Sequence, residues 1–196
     1  MKNISAISSI IFFSVLLCAC KKDAPITPQE EEHIPIYTPC DTTQGVATAY
    51  KATRAWKSGA TCRSYWSLGK KYWLIELTTC TSTNGFMREN LIFGGMPDDS
   101  PQQEFNISLP ASILPEGAIG APYGTLSDDG DVLEDYYNID TSATDNYFTV
   151  DIWDTVNKRA EGRFYVTFLI DEPRLNPKNP KKVTFSAGHF WVKIPD

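Results

Sequence analysis

The chain has 196 residues, 42% hydrophobic and 21% charged, and carries a formal net charge of −6. An acidic balance of this size is a poor match for nucleic acid or for anionic lipid headgroups, and neither is an expected partner. The length suits one domain with a sizeable core once terminal segments are set aside.

The N-terminus opens with Met1-Lys2-Asn3, runs through the apolar Ile10-Ile11-Phe12-Phe13 and Val15-Leu16-Leu17, and exits on small residues. A positive start, a short apolar run and a small-residue exit describe a cleaved secretion signal over residues 1–19, since a membrane span needs about 20 apolar residues. Leu17-Cys18-Ala19-Cys20 resembles the lipobox of bacterial lipoproteins. That resemblance implies cleavage before Cys20, a diacylglycerol on its thiol and acylation of the new amine, hence attachment to a membrane through the N-terminal lipid. Residues 20–41 then read as the lipidated cysteine and a disordered tether, because Pro25, Pro28 and the Glu30-Glu31-Glu32 run leave little apolar surface to bury. No aspartate follows Cys20 directly, so the expected location is the outer membrane, with the tether suggesting display at the cell surface.

Residues 42–196 show almost no helical periodicity and many short runs of period two, the mark of strands with one buried face. In chain order these are Ala47 to Trp56, Ala60 to Trp66, the set Trp73, Ile75 and Leu77, and the set Met87, Leu91 and Phe93 with Glu89 as a polar interruption. Phe105, Ile107 and Leu109 follow, then a helical turn near Ile113-Leu114 and a weaker set of Leu133, Tyr137 and Ile139. Phe148, Val150 and Ile152 pair across the polar Asp154 to Arg159 connection with Phe164, Val166, Phe168 and Ile170, which predicts a β-hairpin. In the last run Val183 and Phe185 hold one parity and Phe190, Val192 and Ile194 the other, which places a β-bulge at Ala187-Gly188. Nine or ten such strands predict an all-β, antiparallel β-sandwich, with a small β-barrel as the alternative.

The lipobox, the short tether, the early strand ending at Ala55-Trp56-Lys57, the hairpin from Phe148 to Phe164 and the closing strand Val183 to Phe190 together resemble a family of lipid-anchored bacterial all-β proteins of uncharacterised function. The resemblance implies the fold and no catalytic residue.

Of five cysteines, Cys18 leaves with the signal and Cys20 takes lipid, which leaves Cys40, Cys62 and Cys80. Export favours one disulfide. The hairpin-like order of their segments favours Cys62 with Cys80, although a symmetric turn sets Cys62 opposite Leu77, and Cys40 can reach either. For chemistry, His189 is the one histidine in the domain, and no Cys-x-x-Cys or His-x-x-x-His spacing offers a zinc site. Asp128, Asp129 and Asp131, with Glu134 and Asp135 beyond them, form the best calcium candidate and equally well the turn of a hairpin. Glu76, Glu89, Glu104, Glu134 and Asp151 are available to a hydrolase, though no spacing pairs them. No cofactor is implied. Trp153 and Trp191 fall opposite the apolar parity of their strands, with Tyr147 and Tyr165, and these four are the candidate ligand-binding aromatics. The expected function is a non-catalytic binding module for glycan or protein, with a structural envelope component or a carboxylate- or metal-dependent hydrolase as alternatives.

Overall fold

The structure, a computed structural model, describes residues 37–107 and 119–196. Cys20, the secretion signal, most of the tether, Leu109 and the Ile113-Leu114 turn lie outside the described residues.

The domain is all-β and antiparallel, as the alternation predicts. Its strands are β1 (Thr38–Pro39), β2 (Gly45–Lys51), β3 (Arg54–Ser67), β4 (Lys70–Cys80), β5 (Met87–Pro97), β6 (Glu104–Asn106), β7 (Tyr123–Leu126), β8 (Leu133–Ile139), β9 (Tyr147–Asp154), β10 (Arg159–Ile170) and β11 (Lys182–Lys193). They pair in the order β11-β2-β3-β4-β5-β7-β8-β10-β9-β6, and β10 also pairs with β11, so the ladder returns to its starting strand. β9 and β8 divide one edge of β10 between them, β9 along Arg159–Tyr165 and β8 along Phe168–Ile170. Aromatic rings from strands far apart in this pairing order meet in the core. Phe93 of β5 stacks on Phe148 of β9 at 4.4 Å, and Trp56 of β3 meets Phe185 of β11 edge-on at 5.0 Å. Each of the fully buried phenylalanines contributes about 1.5–3 kcal/mol relative to exposure.

The hairpin of β9 and β10 forms as expected, its turn fixed by the Asp154 carboxylate, which accepts the Val156 and Asn157 N–H groups at 2.9 and 2.8 Å. The bulge in β11 also falls where the parity change places it. Ala187 has φ 49°, the registers to β10 and β2 both shift there, and Val183, Phe185, Phe190 and Val192 are all buried. Gly188 sits under the Phe164 ring, where a Cβ would come within 2.5 Å of a ring carbon.

Three expectations are corrected. The run Ala47 to Trp56 is two strands, turned by Ala52-Thr53 with Ala52 at φ 53°, so Lys51 pairs with Arg54. The fold starts before residue 42: β1 pairs with the end of β4, and Asp41 packs against Gly59, where a Cβ would meet the Asp41 carbonyl at 2.2 Å. The disulfide joins Cys40 to Cys80, with Cα atoms 4.9 Å apart, and not Cys62 to Cys80. The reason is register: the turn at Leu68-Gly69 sets Cys62 opposite Ile75, five residues from Cys80, while β1 lays Thr38 directly across from Cys80. Cys62 remains a free, buried thiol, pushed up to about 12 by burial.

Candidate ligand-binding surface

Strands β2, β11, β10 and β9 lie side by side, and their alternation buries Ala47, Phe190, Val192, Ala160, Phe164 and Phe148 while turning the intervening residues outward. Register then builds rows across the outer face. Val46, Trp191, Glu161 and Ile152 form one row, and Thr48, His189 and Arg163 form the next. Trp191 is half-buried, with the Arg159 guanidinium 5.8 Å from its ring centroid, and Arg159 in turn bridges Glu161 at 2.7 Å. Arg163 holds Asp151 through two bonds of 2.8 and 3.0 Å, which keeps the Asp151 carboxyl below its usual range. His189 is exposed, as its parity predicts. Between the rows lies a shallow depression of about 440 Å³, lined by Thr48, Asp151, Ile152, Glu161, His189 and Trp191 among others.

Two of the other aromatic candidates extend this face. Tyr147 and Tyr165 are register partners, their rings stacked at 6.5 Å and 21°. Trp153 does not belong with them. The β9–β10 register slips between Glu161 and Gly162, so Asp151 is the extra residue and the parity of β9 reverses beyond it. Ile152, expected in the core, is 45% exposed, while Trp153 turns inward onto Trp73, edge-on at 5.2 Å. The four candidates therefore divide into Trp191, the tyrosine pair, and a half-buried tryptophan packed against the core.

The acidic cluster spreads apart. Asp128 pairs with Arg88, and Asp129 accepts the Ser127 hydroxyl and the Asp131 N–H within the turn between β7 and β8, where Gly130 has φ 77°. Asp135 is buried and instead ties down the loop after β10, accepting the Leu175 N–H at 2.6 Å and the Asn179 amide at 2.7 Å. Among the described residues no three His, Cys, Asp or Glu side chains are grouped to hold a metal ion. The carboxylates a hydrolase would draw on are held separately: Glu76 by Arg63 and Asn90, Glu134 by Asn179, Asp151 by Arg163.

The most heavily built polar site is one that the alternation marked only as an interruption. Glu89 points into the core, 1% exposed, and pairs there with Lys51, 4% exposed. Its other oxygen accepts the Trp56 indole N–H at 2.9 Å and the Thr79 hydroxyl at 2.8 Å, and the Tyr123 hydroxyl links Lys51 (2.9 Å) to Glu89 (2.8 Å). Burial alone would raise the Glu89 carboxyl, but the Lys51 charge and the surrounding donors hold it below its usual range. Burial and the Glu89 charge drive the Tyr123 phenol well up. The cluster joins β2, β3, β4, β5 and β7 inside one end of the ring, with both Glu89 oxygens bonded and the Lys51 ammonium held by Glu89 and Tyr123, the kind of satisfaction a buried ion pair requires. Its sequence signal was an acid on the core parity of β5 and a lysine on the core parity of β2, 38 residues apart.

No protein-family model, no curated protein and no solved structure matches the chain.

Proposed function

We propose that the chain is a lipid-anchored envelope protein of the outer membrane, displayed outward, whose domain is a non-catalytic module that binds a glycan through the face around Trp191. One observation carries this reading. The indole is set in an open depression among side chains already fixed by ion pairs, Arg159 with Glu161 and Arg163 with Asp151. A sugar offers a flat C–H face for stacking and hydroxyls that both donate and accept, and this surface presents the complement of each. The apolar groups are interleaved with charge and do not form the contiguous patch that a protein partner favours.

The test is an oligosaccharide and protein screen with residues 21–196, a length that keeps Cys40 and its disulfide. Binding of a glycan, weakened about tenfold or more by Trp191→Ala, an effect of about 1.4 kcal/mol, is the expected result. Binding of proteins alone, or co-purification with envelope partners and no affinity for sugars, would move the reading to a protein-binding or structural role. Anchoring has its own check: the N-terminal peptide recovered from membranes carries diacylglycerol on Cys20, and an unmodified Cys20 removes this part of the proposal.

A further inference from the structure

The end of the ring away from the Lys51–Glu89 cluster carries a second surface of a different kind. β2 accompanies β3 only as far as Gly59, whereas β4 follows it to Ser67, so the β3–β4 hairpin runs on past β2. Its two-residue turn, Leu68-Gly69, has positive φ at both positions (49° and 77°), a geometry that favours Asn-Gly and that a leucine occupies only under strain. This hairpin holds large side chains in solvent: Leu68 is 85% exposed, Trp66 73% and Tyr65 36%. Trp66 pairs in register with Lys71, and the Asp98 N–H donates to the Lys71 carbonyl at 3.3 Å, which sets Trp66, Lys71 and Asp98 in a row.

The floor beside Trp66 is fixed. The Lys71 ammonium lies 4.2 Å from the Trp73 ring centroid and 3.2 Å from Asp98. The Trp73 indole N–H donates to the same Asp98 oxygen at 2.6 Å, and Trp73 is backed by Trp153. Together these groups border a cleft of about 640 Å³, lined by Trp66, Lys70, Lys71, Tyr72, Asp98 and Asp99 among others, a size within the usual range for small-molecule sites, roughly 300–1,000 Å³.

We propose that this cleft is a second binding site, separate from the outer face, and that it takes a neutral saccharide stacked on Trp66. The indole supplies an exposed platform for the apolar face of a pyranose, and the Lys71 ammonium and Asp98 carboxylate hold one another before any ligand arrives, which lowers the ordering cost of binding. The lining carries two lysines and two aspartates, a balance that selects an uncharged sugar over a uronic acid or an amino sugar. The chain enters the sheet at β1, stapled to Cys80, while the cleft lies at the Lys70 end of the same eleven-residue strand, about 34 Å away at 3.4 Å per residue.

The experiment titrates residues 21–196 with hexasaccharides of β-1,4-glucose, β-1,4-mannose and α-1,4-glucose, and with polygalacturonate as the anionic comparison, by calorimetry and by acrylamide quenching of tryptophan fluorescence. At least one neutral hexasaccharide is expected to protect a tryptophan from quencher. Trp66→Ala is expected to remove that protection and weaken binding tenfold or more, while Trp66→Phe stays within about threefold of the parent. Asp98→Asn, which keeps the shape and unbalances the charge, is expected to shift preference toward polygalacturonate. Trp191→Ala reads the outer face separately: sugar binding lost in Trp191→Ala and intact in Trp66→Ala overturns this site and sustains the other. Absence of binding by every neutral sugar, or preference of the parent for polygalacturonate, also overturns it. Because Trp66 lies in solvent, an unchanged melting temperature in Trp66→Ala confirms that a lost affinity is not a lost fold.

Discussion

Strand β3 carries a tryptophan near each end, and the molecule treats them in opposite ways. Trp56 is 9% exposed, its indole N–H committed to Glu89 and its ring set against Phe185, whereas Trp66 is 73% exposed beside an open cleft. The two are ten residues apart and share a parity, so the same face of one strand runs from the interior of the closed ladder out into solvent. Near Trp56 the partners are the stapled end of β4, the buried carboxylate of β5 and the end of β2. Near Trp66 they are one neighbouring strand and the surface pair Lys71–Asp98. One end of the strand is therefore closed into the core and the other left open to solvent.

Substitutions at the two ends test this division. The largest loss is expected from Glu89→Gln, which leaves Lys51 buried without a counter-charge and costs about 3–5 kcal/mol in urea unfolding. A loss under 1 kcal/mol would show that the cluster is dispensable and the contrast unfounded. The same group sets an acid limit. The folded carboxyl titrates below its usual value of 4.5, so its contribution is present above that pH and fades as the pH falls through the folded value. The parent's stability lead over Glu89→Gln is therefore expected to shrink on acidification, and a lead that stayed constant down to pH 2 would contradict the assignment. Opening the staple with Cys40→Ser and Cys80→Ser is expected to cost about 2–4 kcal/mol. A Cys62→Ser control that lost as much would point to packing and not to the cross-link.

Smaller effects sharpen the boundary. Trp153→Ala is expected to destabilise by about 2 kcal/mol, below the 3–5 typical of a fully buried tryptophan, while the adjacent Ile152→Ala changes stability by less than about 1 kcal/mol. Reversal of that order in thermal melts would refute the bulge in β9. The smallest change is expected from Trp66→Ala, within about 0.5 kcal/mol of the parent.

What the sequence made legible was local. Period two placed β9, β10 and both halves of β11, and the glycine after Ala187 betrayed the bulge there, because a parity change is written in neighbouring residues. The bulge in β9 carries no such mark. Its glycine, Gly162, lies on the opposite strand, so Ile152 and Trp153 exchanged faces unannounced. Ala52-Thr53 is not turn-forming chemistry, and the β2–β3 hairpin passed as one long strand. The disulfide and the Lys51–Glu89 pair join residues 40 and 38 apart, and closures of that span depend on the register of strands lying between. At the candidate surface, Trp191, Tyr147, Tyr165 and His189 were legible from parity. The exposure of Trp66 was not, since nothing in β3 records where β2 stops beside it.

The cross-link at the start of the fold also has a mechanical meaning. A pull on the N-terminus passes from Cys40 straight into the last residue of β4, and residues 41–79 hang from that junction as a loop outside the path of the load. Load carried on toward the C-terminus would leave Cys80 for β5 and the strands that follow it. The strand carrying Trp56 and Trp66, with β2 and all but the last residue of β4, would stay outside that path and keep its shape while the later strands bore the tension.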